Sequence, residues 1–362
     1  MYEKTQQKKE FVRVTPQEIK PLLDPFLADL GVSHFGWAPL ANPLSFDFYR
    51  SWIAEGLHGE MNYLAEHAPI KENPQSKWAR AESALVFAMP YYPHPEKMAN
   101  FPLKEARVSM YAQGMDYHFW FKQRMQKLCE ELTKIFPDQE FMAFTDSSPL
   151  LERDLAKKAA LGWVGKNTCV INPKKGSLFF IGEIVTSLKI TSEVAPLPDF
   201  CGTCTRCMDA CPTGALVEPR KMDARKCISY LTIESRQIPE ESLREKIGDW
   251  FFGCDICQTV CPWNQKVFKG QLSVEKSLSL TDDKLSALQE ELRYILVSSG
   301  KKLTKDFFGT PLARAGSFGL KRNAMIVAAN RKIKGLQPEI EALKEHEKLG
   351  DLAQWSLRQL QS

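Results

Sequence analysis

Two hydrophobic patterns divide the chain. Up to residue 190, apolar runs of strand length alternate with stretches whose apolar residues recur every three or four positions. That is the signature of mixed strands and helices. Residues 1–15 are polar and expected to fray. A helix is predicted to open at Pro16, behind Thr15, and to stop at Gly31. SHFGWAPL reads as a strand and turn, and FYRSWIAEGLHGEMNYLAEH as helix broken at Gly56 and Gly59. SALVFAMPYY is an unbroken apolar run ending in proline, which predicts a buried central strand. Leu128, Leu132 and Ile135 mark one face of a helix that carries Cys129. Ser148 and Pro149 read as the N-cap and first residue of a further helix, with Leu151, Leu155 and Ala159 as its apolar stripe. TCVIN and SLFFIGEIVTSL read as strands, and the proline-bearing KITSEVAPLPDF as a linker.

From residue 275 the pattern changes. DDKLSALQEELRYIL, NAMIVAAN, PEIEALKEH and LAQWSLRQL are short amphipathic helical pieces without a convincing strand among them. Short paired helices point to a HEAT-like α-helical segment. The fold class is therefore α+β, with expected divisions at 1–190, 191–270 and 271–362.

The middle division carries the candidate chemistry. Cys201, Cys204, Cys207 and Cys211 follow x2-x2-x3 spacing with Pro212 behind them. Cys254, Cys257 and Cys261 follow x2-x3 spacing with Pro262 behind them, and Cys227 stands between the runs. Paired C-x2-C-x3-C-P endings are the bacterial two-cluster ferredoxin pattern, in which the last Cys of each run crosses to the other cluster. The pattern assigns Cys201, Cys204, Cys207 and Cys261 to one 4Fe–4S cluster. Cys211, Cys227, Cys254 and Cys257 go to the other. C-x2-C pairs also suit tetrahedral zinc; the prolines and the x2-x2-x3 run favour iron–sulfur. The N-terminus lacks a signal-peptide core and twin arginines, so a cytoplasmic, reducing setting is expected, in which a disulfide framework is the poorer reading. Cys129 and Cys169 read as small buried hydrophobes.

Length and composition change the picture little. At 362 residues, 44% apolar and 25% charged, the chain is an ordinary globular protein of two or three domains. No stretch has the apolar length to span a bilayer. Net charge is a mild +4, yet nine cations from Lys301 to Lys334 face only Asp306, a local net of +8. With Phe307, Phe308 and Phe318 interleaved, this reads as the footprint of a phosphate-rich partner; a solvated helix face is the alternative.

TDSSPLLERDLAKKAALGWVGKNT, CGTCTRCMDACPTGAL, RKCISYLTIE, GDWFFGCDICQTVCPWN and LKRNAMIVAAN together resemble the epoxyqueuosine reductase family. The resemblance implies reduction of epoxyqueuosine to queuosine at the tRNA wobble position, with cobalamin and two 4Fe–4S clusters. It implies a nitroreductase-like cobalamin-binding domain with no histidine on cobalt, followed by the ferredoxin-like module. Its partners are then a tRNA anticodon stem-loop and an external low-potential electron donor, with no membrane, and the chain is expected to act as a monomer.

By resemblance Asp146 is the proton donor, though a carboxylate at a helix N-terminus is its plainer role. Arg153 is expected to position Asp146 or the substrate. Lys71 stands where the family usually has arginine, which loses bidentate geometry. Ser109, Gly165, Lys166, Val170 and Ile181 complete the expected corrin contacts. Tyr111, Asp116, Tyr117, His118, Asn167, Gly176 and Ser177 are expected nearby. Ser229, Arg236, Arg314, Lys321, Arg322, Arg331 and Lys332 are the candidate tRNA contacts. Two other readings compete. One is a cobalamin-dependent reductive dehalogenase, the other a non-catalytic cobalamin or electron carrier.

Overall fold

The computed structural model describes residues 12–41, 43–92, 101–191, 195–272 and 281–361. Helix α1 (Pro16–Leu30) starts as expected: Glu18 accepts from the Thr15 amide and hydroxyl at 2.7 and 2.8 Å, and Gly31 ends it with φ at 69°. Just upstream, Arg13–Val14 pairs in parallel with Lys189–Ile190. That end of the expected frayed stretch is therefore anchored, and the start of the expected linker lies in the same ladder; residues 1–11 lie outside the described residues.

The first core is an antiparallel sheet of β1 (His34–Pro39), β2 (Ser83–Pro90), β3 (Phe141–Phe144) and β4 (Phe179–Thr186), in the order β1-β2-β4-β3. Every residue of β2 except Pro90 is buried, because the strand is central and both faces are covered. Ile19 and Leu23 of α1 and Phe121, Met125 and Leu128 of α2 (Tyr117–Ile135) pack with Leu85, Phe87 and Ile184. Leu155, Ala156 and Ala159 pack with Ala84, Val86 and Val185 on the other face. Gly182 permits the close approach of α2; a Cβ there would stand 2.7 Å from Phe121 and Met125. Helix α3 (Glu152–Lys158) begins later than Ser148 and Pro149 predict. Ser147 instead donates to the Thr145 carbonyl, so 145–151 is a loop and not a first helical turn.

A larger core crosses the expected boundary at residue 271. Ile228–Ile233 and Trp250–Phe252 pack with α4 (Asp282–Val297), α5 (Gly300–Asp306), α6 (Gly316–Asn330) and α7 (Gly350–Gln361). Helix α6 is buried almost all round, and Asn323 donates to the carbonyls of Thr232 and Phe251 at 2.8 and 2.9 Å. Trp250–Phe252 also pairs in parallel with Arg107–Val108, which joins the sheet domain to this core. Among the described residues from 281 onward, all regular structure is helical.

Candidate active site

The loop after β3 sets out the first group of polar side chains. Thr145 anchors the loop by donating to the Ile181 carbonyl at 2.9 Å. Asp146 takes a left-handed φ of 53°, a conformation that a non-glycine residue holds only when its surroundings impose it. Its Oδ2 accepts from the Tyr117 hydroxyl at 2.8 Å and lies 3.2 Å from His118 Nε2. The other imidazole nitrogen lies 2.7 Å from Asp116 Oδ1, and Asp116 also accepts from the His118 amide at the start of α2. Tyr117 is fixed by stacking on Phe180 with centroids 4.1 Å apart. Asp146 keeps 60% of its side-chain surface. Protein nonetheless crowds it on several sides, so it stands in a cleft and not on an open face.

The electrostatics divide this group. Burial alone lowers the His118 imidazole, but the two carboxylates outweigh it and push it up to about 9. Crowding raises Asp146, but hydrogen bonding to and the charge of His118, with the Tyr117 phenol, hold the carboxyl below its usual range. At neutral pH the Asp146–His118 pair therefore carries its proton on His118. Beside it lies a second acidic group that the sequence did not single out. Glu183 on β4 is fully buried with neither carboxyl oxygen partnered, and Glu152 Oε1 and Ser148 Oγ are likewise buried without partners. Burial, then the charge of Asp146, pushes Glu152 up to about 8; burial, then Glu152, raises Glu183 well above the carboxylate range. Its signal in the sequence is a lone acid within an apolar strand.

The cysteine loops form the second site. Cys261 shares the electrostatic surroundings of Cys201, Cys204 and Cys207, while Cys254 shares those of Cys211 and Cys227. Each last cysteine thus sits with the other run. Short helical turns begin next to the cysteines at Ile228, Ile256 and Pro262, and backbone amides there face the sulfurs. Burial raises these thiols, and the amides work against it by favouring the charged form that cluster ligation requires. None of the eight is in a disulfide. Among the described residues, no three His, Cys, Asp or Glu side chains converge on a point that would hold a single metal ion. Asp255 links the second run to the cleft by accepting from Ser109 Oγ at 2.5 Å and the Met110 amide at 2.7 Å.

Residues 200–264 match the 4Fe-4S double cluster binding domain, and residues 71–147 match the family described as epoxyqueuosine reductase QueG, DUF1730. The epoxyqueuosine reductase of Pseudomonas aeruginosa is 37% identical over 317 residues, 85% of each chain. This chain belongs to the epoxyqueuosine reductase family. Its fold is similar to a crystal structure of epoxyqueuosine reductase with a tRNA-Tyr epoxyqueuosine-modified stem loop, at TM-score 0.78 and 25% identity, covering 96% of this chain and 91% of that one. It is also similar to the Bacillus subtilis epoxyqueuosine reductase whose catalytic loop is swung out of the active site, at TM-score 0.76 and 26% identity, covering 95% and 90%.

Set in this epoxyqueuosine reductase fold, the predicted contacts separate. Asp146 and Arg153 are exposed, Arg153 donating to the Thr168 carbonyl at 3.0 Å, and Ile181 is half-buried beside Thr145. The other expected corrin contacts have different neighbours. Lys71 is buried with its Nζ on the Leu150 carbonyl at 2.8 Å. Ser109 is buried on Asp255, and Val170 is core. Lys166 reaches the carbonyls of Gly202 and Cys204 at 2.7 and 2.9 Å, Gly165 approaches Ile171, and Gly176 turns against Asn264.

The basic segment needs a clear correction. Arg322 is fully buried and donates to the carbonyls of Ser235 and Gln237 at 2.7 and 2.9 Å, so it cannot meet a phosphate. Lys321 bonds the Leu296 carbonyl at 2.8 Å, Arg331 pairs with Asp249, and Lys332 holds the Gln359 carbonyl. Phe307 is core, whereas Phe308 is 75% exposed next to Lys305. Arg236 is spent on the Ala315 and Arg314 carbonyls, and Ser229 is half-buried. Arg314 is exposed, paired with Glu234 at 3.0 Å, and its charge reaches Asp146.

Proposed function

We propose that the chain reduces epoxyqueuosine to queuosine at the wobble position of tRNA anticodons, the last step of queuosine biosynthesis, with cobalamin and electrons passed through two 4Fe–4S clusters. Family membership across most of the chain is the observation that carries this reading. One cluster falls to Cys201, Cys204, Cys207 and Cys261, the other to Cys211, Cys227, Cys254 and Cys257, in keeping with how the thiols are grouped. Opening the epoxide to an alkene expels oxygen as water and takes up two electrons and two protons. Clusters pass single electrons, and cobalamin, when bound, supplies a cobalt centre that gathers them and acts on carbon.

The described residues fit a large flat ligand. Tyr63, Met115, Phe119 and Phe308 are exposed apolar side chains next to the Asp146–His118 group, a surface that is incomplete without a partner. Arg153 and Ile181 are its nearest expected contacts. His118 has both nitrogens turned to carboxylates, which supports a cofactor held without histidine on the metal. The pair's proton, resting on His118, passes through Asp146 to the leaving oxygen, and Tyr117 fixes the carboxylate. Arg314 and the exposed Lys301, Lys302 and Lys305 meet the tRNA phosphates, with Ser229 and Arg236 behind them.

We read 1–190 as nitroreductase-like, 191–270 as ferredoxin-like and 271–362 as HEAT-like. The chain acts as a cytoplasmic monomer served by an external low-potential donor. The test is anaerobic single turnover of an epoxyqueuosine stem-loop by pre-reduced, cobalamin-loaded protein, followed by mass spectrometry. A stem-loop left unchanged by fully loaded protein would reduce the chain to a carrier.

A further inference from the structure

The segment Gly162–Asn167 carries a tryptophan with a role of its own. Trp163 lies in a two-residue strand paired with Val170–Ile171. Gly162 lets that strand close, since a Cβ there would stand 2.4 Å from the Ile171 carbonyl oxygen. The indole is 1% exposed and packs with Ile171, Cys261, Cys201 and Trp263. Trp263 and Phe200 meet it edge-on, with centroids 5.2 and 5.0 Å away. Within this cage the only polar atom of the indole, Nε1, donates to Cys201 Sγ at 3.4 Å. Lys166 brings a cation to the same loop through the Gly202 and Cys204 carbonyls. On the other side, Cys211 has the Thr213 hydroxyl at 3.6 Å, where either atom could donate, and Cys254 adjoins the buried Asp255. The second group is also the one tied to the cleft, because Gly253 packs against Ser109 and Tyr111.

We propose that the Trp163 indole N–H raises the reduction potential of the cluster held by Cys201, Cys204, Cys207 and Cys261 above that of its neighbour. This rests on the cluster assignment made above. Adding one electron to a 4Fe–4S cluster deposits negative charge on its sulfurs. A hydrogen bond to a ligating sulfur stabilises that state more than the oxidised one. The first electron from an external low-potential one-electron donor then waits on the remote cluster, and the cluster next to the cleft remains the stronger reductant. No bond is made or broken in this step.

The experiment is an anaerobic redox titration, followed by electron paramagnetic resonance, of cobalamin-free reconstituted protein with dithionite as donor. Trp163→Phe keeps the ring and removes the N–H. It is expected to lower one midpoint so that the reduced-to-oxidised ratio at a fixed potential falls about tenfold, ~59 mV for one electron, with iron and sulfide content unchanged. Trp263→Phe, which removes no bond to sulfur, is expected to leave both midpoints in place. In wild-type protein labelled with 15N-indole tryptophan, pulsed resonance should show a nitrogen coupled to one reduced cluster only, a readout independent of any variant's folding. Unshifted midpoints in fully loaded Trp163→Phe, or no coupled indole nitrogen, would overturn the proposal and leave the cluster assignment standing. Absence of labile sulfide from wild-type protein would overturn both.

Discussion

The cysteine loops and the Asp146 cleft place their reactive atoms by different means. In the loops, seven of the eight cysteines follow short spacing in two runs, and backbone amides of the next turn face the sulfur. In the cleft, Asp146, His118, Tyr117 and Glu183 come from three separate places along the chain, a loop, a helix and a strand. The first kind of site is written locally; the second exists only once the sheet has formed. A local site is open to sequence reading but fails as a unit when one ligand goes. A topological site hides from sequence reading, and its members can be altered singly.

The largest effect should come from the local site. Cys261→Ser is expected to destroy the cluster of the first run, not of its own run, and Cys211→Ser the reverse. Iron analysis and cluster resonance of the two variants check this. Loss confined to each variant's own run would mean that the ligands do not cross.

Next comes Asp146→Asn, which keeps size and removes the acid. Single-turnover rates should fall about 10²–10⁴-fold with clusters and cobalamin retained. The pH profile sharpens the test. Because the pair's proton rests on His118, wild-type activity should fall as pH rises through about 9, not through the carboxylate range. His118→Gln should move that fall to lower pH. A profile identical in all three proteins would leave Asp146 and His118 as structural groups.

Spacing reveals ligands because three sulfurs in one loop need no distant partner. Thr15 and Gly31 mark helix ends because caps are local too. Burial is a different matter. Arg322 looks like its neighbours in a basic segment, but α6 is covered by α4, α7 and Trp250–Phe252, so the guanidinium became a core strut. Ser148 and Pro149 carry helix-start chemistry, but the loop was needed to hold Asp146 at positive φ. His118 could not be tied to Asp146 from sequence, since 28 positions separate them.

Arg322 therefore gives a third test. Arg322→Met should cost about 1–3 kcal/mol in denaturant unfolding, because the Ser235 and Gln237 carbonyls lose their donor. Lys305→Glu, on an exposed face, should leave stability nearly unchanged while weakening stem-loop binding and reducing its salt dependence by about one unit of slope. Equal tRNA affinity for Lys305→Glu and wild type would remove α5 from the interface.

The last test concerns Glu183, the acid that the strand pattern concealed. Its carboxyl is fully buried without a partner, and burial raises its pKa well above the usual 4.5. Above that value the unfolded chain releases the proton while the folded chain keeps it, so the native state binds more protons. Stability must then fall as pH rises, by up to about 1.4 kcal/mol per pH unit. Glu152, pushed up to about 8, adds the same trend between about 4.5 and 8. Glu183→Gln is neutral at every pH and removes one of the two contributions. Unfolding free energies of the two proteins should lie close together near pH 5 and diverge in favour of the variant toward pH 8, while cluster content stays constant. Parallel curves would mean that Glu183 is ionised in the fold and balanced by a charge that its surroundings supply. In that case Lys71, the buried cation whose field already reaches it, is the group to replace next.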